Sequence, residues 1–153
     1  MPEALIKFTA AGHIRFGIAG DSDGDLSEDL YGEYLPVIVV PISAGTAYYR
    51  KFFVENMDTV PFYDWKLKVT SNRDEISAKI AYEQNPQNRI YNSQKPPAGI
   101  SDADWKEEVT GKDFDLPLFE PNKPLCFWLK LEAQPDVERY STYTITLTFE
   151  GYS

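Results

Sequence analysis

The chain has 153 residues, 42% hydrophobic and 25% charged, and its 24 acidic against 15 basic side chains give a formal charge of −9. These figures describe one globular domain over 1–153 with enough material for a core, and they argue against disorder. The single cysteine excludes an internal disulfide and a cysteine-rich zinc site, and the acid excess speaks against binding a phosphate backbone, so no nucleic-acid partner is expected.

In chain order, Met1-Pro2-Glu3-Ala4 lacks the basic start and apolar stretch of a signal peptide. No apolar run reaches the ~18 residues that span a bilayer, so no membrane partner is expected either. Leu5–Phe8 is a first candidate strand. Ile14, Phe16 and Ile18 then alternate with His13, Arg15 and Gly17, the period of a half-buried strand. His13, the only histidine, falls on the polar side and reads as a surface residue.

Residues 21–33 carry six acids and no base. Asp21, Asp23, Asp25 and Asp29 are the only metal-ligand candidates, because a hard cation such as Ca²⁺ wants several carboxylate oxygens in one tight loop. The EF-hand pattern fails in detail: Leu26 stands where its glycine is needed, and Gly32 where its bidentate glutamate is needed. A solvated acidic turn is the preferred reading, and no cofactor is expected.

Val37–Val40 and Tyr48–Val54 are β-branched and aromatic enough for strands. Tyr63, Trp65, Leu67 and Val69 alternate with Asp64, Lys66, Lys68 and Thr70, and Ile76, Ala78, Ile80 and Tyr82 continue with the same period. Residues 84–124 interrupt it as one long insertion rich in proline, too rich for central strands. Within it Ser101 could cap a short helix over 101–108, with Asp104 answering from the third helical position. Its apolar residues, Trp105 and Phe119 among them, predict that it packs on the sandwich or on another chain. Residues 102–120 also hold seven acids against two lysines, so the net charge belongs to two segments on a balanced body. The last strands are Leu125, Phe127, Leu129 and Leu131 alternating with Cys126, Trp128 and Lys130, and Tyr143–Phe149 alternating with threonines.

Seven to eight strands without a long helix predict an all-β, antiparallel two-sheet sandwich. The missing cysteine pair excludes an antibody-type disulfide but leaves an immunoglobulin-like architecture open, beside barrels and jelly rolls. No nucleophile elbow, phosphate loop or His-Glu-x-x-His pattern occurs, and nothing in the spacing singles out two carboxylates, so no enzyme is expected. Cys126 reads as a small hydrophobe on a strand.

Aromatics are the surplus: ten Tyr, nine Phe and three Trp, 14% of the chain. Tyr48, Arg50, Phe52, Trp105 and Trp128 are the candidate interface residues, since aromatics beside arginine suit protein interfaces. Two other readings stand beside this one. The insertion would cover that face within the chain, or the rings would stack sugars, with Ca²⁺ at 21–29, in a carbohydrate-binding module.

The run Gly45-Thr46-Ala47-Tyr48-Tyr49-Arg50-Lys51-Phe52-Phe53-Val54-Glu55-Asn56 resembles a strand of small immunoglobulin-like structural proteins of tailed bacteriophage particles. Ile14–Gly20 before an acidic turn, Pro96-Pro97-Ala98-Gly99-Ile100, and Phe127-Trp128-Leu129-Lys130 near a Thr-rich last strand are similar to the same pattern. The resemblance implies an immunoglobulin-like fold and a non-enzymatic virion protein assembled in the host cytoplasm. Its first role would be capsid decoration or cement, with the tail, neck or baseplate as alternatives. The implied partners are the major capsid protein, other virion proteins and further copies of the chain.

Overall fold

A side-chain period of two puts every second residue on one face, and β-branched and aromatic residues pack well there, so the alternating segments form strands throughout. The computed structural model describes residues 3–10, 13–18, 30–31, 37–83, 94–97, 99–137 and 142–152. Among these the strands are β1 (Glu3–Ala10), β2 (Ile14–Ile18), β3 (Leu30–Tyr31), β4 (Val37–Pro41), β5 (Ala47–Asn56), β6 (Phe62–Ser71), β7 (Ile76–Tyr82), β8 (Glu108–Thr110), β9 (Leu118–Phe119), β10 (Leu125–Ala133) and β11 (Thr142–Tyr152). No helix among the described residues is long and apolar enough to cross a membrane.

Two sheets face each other, as the alternation predicts. The first has the order β4-β1-β11-β6-β8, with β9 also on β6; the second is β3-β2-β5-β10-β7. Aromatic pairs join them across the core: Phe8 lies 4.7 Å from Phe16 and 6.1 Å from Phe52, and Trp65 lies 6.4 Å from Phe127 between ring centroids. Edge-to-face and tilted contacts of this kind add to the burial of the rings themselves.

The expected purely antiparallel pairing is corrected at one place. β1 runs parallel to β11, with Glu3 opposite Thr142 and Ala10 opposite Phe149. The two strands lie at opposite ends of the chain, so no tight turn has to join them and nothing forces the antiparallel direction. The strand count is also higher than the expected seven to eight. The additions are β3, β8 and β9, of two or three residues each, too short to show a period.

The insertion packs on the sandwich as a strap. Lys106 exchanges backbone hydrogen bonds with Ile80 of β7 at 2.7 and 2.8 Å, and Glu107 O accepts the Val69 N–H of β6 at 2.9 Å. Residues 106–110 therefore step from the edge of one sheet to the edge of the other, and Val109 and Phe119 join the main core. The prolines fit because β8 and β9 add only at the outer side of β6. The helix expected over 101–108 is corrected to a 3₁₀ turn at Asp102–Asp104. Ser101 N–H does donate to the Asp104 carboxylate at 2.9 Å, but the backbone must turn extended at Trp105 for Lys106 to reach β7. Gly111, in the next 3₁₀ turn, lies under the hydrogen bond that Trp65 Nε1–H donates to Leu116 O at 2.9 Å. A Cβ there would come within 2.2 Å of that carbonyl oxygen and 2.5 Å of the indole nitrogen. Gly111→Ala is expected to cost about 1–3 kcal/mol through overpacking, read as a lower urea midpoint at unchanged slope.

Candidate functional site

Register decides which side chains of β5 share a face. Trp128 lies opposite Lys51 and Cys126 opposite Phe53, so Lys51, Phe53, Cys126 and Trp128 stand together on the outer side of the second sheet. Tyr48, Arg50 and Phe52 have the other parity and point between the sheets. The expectation that Tyr48, Arg50, Phe52 and Trp128 form one interface is corrected accordingly, since only Trp128 stands on the outer side. Phe52 is buried in the main core, stacked on Phe127 at 5.6 Å, and Arg50 Nη1–H donates to the Tyr48 hydroxyl at 3.0 Å on the inner side. β5 carries aromatics at both parities, so alternation alone could not choose between its faces.

The outer face of the second sheet is itself covered. Trp105 comes down from the insertion and forms a second small core with Tyr49, Ala81 and Trp128, flanked by Ala47 and Ile100. Its ring lies 5.8 Å from Tyr49, and Lys130 Nζ sits 5.6 Å from its centroid. Trp105 and Trp128 thus belong to one buried cluster inside the chain, the covering role that was the alternative to an open interface.

Beside this small core lies a polar group of four. Lys51 is 1% exposed and Glu83, one residue past β7, is 4% exposed, with Nζ 3.4 Å from Oε2. Trp128 Nε1–H donates to the same Oε2, and the Cys126 thiol donates to it at 3.7 Å. The rings of Phe53 and Trp128 lie 5.7 and 5.5 Å from Nζ, where a cation is attracted to the π-faces. Burial pushes the Cys126 thiol far above its usual range, so it stays protonated. Neither Lys51 nor Glu83 stood out in the sequence. A lysine between Tyr49 and Phe53 at the same parity was the available signal.

On the first sheet an apolar row lies open. Leu118 of β9, Tyr63 of β6 and Tyr152 of β11 are consecutive cross-strand partners, 43%, 48% and 63% exposed, and the two tyrosine rings lie 5.9 Å apart. Alternation places Tyr63 with Trp65 in the core, and the structure does not. Asp64 has φ of 50° and the register shifts opposite Gly151, a bulge that turns Tyr63 outward while Phe62 and Trp65 both remain buried. Asn56 steadies this end, its Nδ2 donating to Phe119 O at 3.0 Å and to Val60 O at 2.9 Å. Further along the face Glu150 bridges Lys66 at 3.2 Å and Lys68 at 3.6 Å. The Lys66 hydrogen bond holds the Glu150 carboxyl below its usual range.

His13, just before β2, is exposed, as expected. Asp21, Asp23, Asp25 and Asp29 lie outside the described residues; among the described residues no group of three or more His, Cys, Asp or Glu is placed to hold a metal ion. No family model and no curated protein sequence matches the chain.

Proposed function

We propose that the chain is a non-enzymatic structural protein of a tailed-phage particle. In this reading it is an immunoglobulin-like sandwich that decorates or cements the capsid by laying the open end of its first sheet against a neighbouring shell protein or a further copy of itself. The Leu118–Tyr63–Tyr152 row carries the reading, being a contiguous exposed apolar and aromatic strip across three paired strands. Tyrosine supplies large contact area with few rotamers to freeze, and such rings dominate interface energies. The resemblance of Gly45–Asn56 to particle proteins supports the setting. The acidic segments, 21–33 and 102–120, would supply charge complementarity to a basic neighbour, making attachment weaken as salt rises.

Purified protein added to particles lacking it is expected to co-sediment with them. Tyr63→Ser with Tyr152→Ser is expected to weaken attachment at least about tenfold, as loss of two interface rings does, while changing stability by no more than about 0.5 kcal/mol. A wild-type chain that neither attaches nor self-associates would overturn the reading. The same tyrosine pair is the observation that favours the carbohydrate reading, and a glycan array that lights up for the wild type and goes dark for the tyrosine variant would decide for it.

A further inference from the structure

The group around Glu83 is arranged for a reaction between its own members. Lys51 Nζ lies 3.4 Å from Glu83 Oε2 yet makes no hydrogen bond, so the amine is close to the carboxyl group without being held along a lone pair. Oε2 instead receives the Trp128 indole N–H and the Cys126 thiol. Two donors converging on one carboxyl oxygen form the arrangement that stabilises negative charge in a tetrahedral acyl intermediate. Both reacting side chains are nearly excluded from water, at 2% and 4% exposure, and walled by Phe53 and Trp128, so the charged pair bears the desolvation cost of burial. A neutral product would remove that cost. Fixed proximity favours reaction further, with effective molarities on the order of 10⁵–10⁸ M for well-oriented groups.

We propose that Lys51 and Glu83 condense to an intramolecular amide that clasps β5 to the end of β7 across β10. A proton passes from the Lys51 ammonium to Glu83, giving an amine and a carboxylic acid. The Nζ lone pair attacks Cδ and forms the C–N bond while charge gathers on Oε2 under the two donors. The bond from Cδ to the protonated Oε1 then breaks, and the departing hydroxyl takes a second proton from nitrogen. One water leaves, and nothing is oxidised or reduced. Trp128 and Cys126 are positioning residues on the outgoing and returning negative charge, the high affinity of the buried thiol for its proton keeping it a donor.

The test is a tryptic digest of the denatured full chain read by tandem mass spectrometry. The expected product is a branched species joining 51–66 to 80–89, one water lighter than the two peptides together, with no cleavage after Lys51. Lys51→Arg is expected to release 52–66 and 80–89 as separate peptides. The proposal is overturned if the wild type yields those separate peptides, with Lys51 open to amine reagents once denatured. A link from Lys51 to Cys126 carrying an added oxygen would overturn it as well, since that product is oxidative and leaves Glu83 unchanged.

Discussion

Lys51→Met is expected to lower the unfolding free energy by at least about 3–5 kcal/mol, because it takes Lys51 away from Glu83, whether the two are ion-paired or joined as the amide, and leaves a buried carboxylate without the Lys51 cation. The Trp128 N–H and the Cys126 thiol remain as donors, but neither carries a charge to offset it. Adding Glu83→Gln to Lys51→Met removes the buried negative charge and keeps an oxygen for both donors. The double variant is therefore expected to be more stable than Lys51→Met alone by more than about 1 kcal/mol, an interaction energy of the size seen for residues in one network. Urea unfolding of the two variants beside the wild type measures this directly. A Lys51→Met midpoint within about 0.5 kcal/mol of wild type, the range of ordinary surface changes, would mean that water reaches the pair.

Trp65→Ala is expected to cost a similar amount, about 3–5 kcal/mol, for a different reason. Trp65 is fully buried, stacked on Phe149 at 6.2 Å and edge-on to Phe119 at 5.6 Å and Phe127 at 6.4 Å. Alanine removes the ring from the meeting point of both sheets and the insertion, and leaves Leu116 O without its indole donor. Trp65→Phe restores most of the apolar volume but not the hydrogen bond, so it should fall between the two. Calorimetric unfolding of the three proteins gives the order wild type, phenylalanine, alanine in falling midpoint. A phenylalanine variant no more stable than alanine would show that the indole hydrogen bond, and not the ring volume, holds the strap in place.

What the sequence made legible follows from what strands advertise. All eight candidate segments are strands, and in most of them burial on one face writes itself into every second residue. The Ser101–Asp104 contact was legible too, because capping is local. Three things were not. β8 and β9 exist only because β6 offers an edge for them to pair with, and two or three residues carry no period. The facing of Tyr48, Phe52 and Trp128 depended on a register between β5 and β10 that parity within either strand does not contain. Tyr63 was misassigned by a single bulge, which reverses the parity of everything before it. The Lys51–Glu83 pair combines the second difficulty with distance along the chain, since a lysine among aromatics becomes buried only when a carboxyl group arrives from beyond the neighbouring strand.

These corrections move the expected contact surface. The rings first expected to meet a partner are spent inside the chain, Phe52 between the sheets and Trp128 in the small cluster with Trp105, while the row on the first sheet, absent from that expectation, stands open. Covalent surface footprinting of the free chain and of the chain on assembled particles separates the two faces in one measurement. The account predicts that Tyr63 and Tyr152 label strongly in the free protein and are protected on the particle, with Trp105 and Trp128 labelling weakly in both. Unchanged labelling of Tyr63 and Tyr152 on attachment, with protection appearing elsewhere, would contradict it.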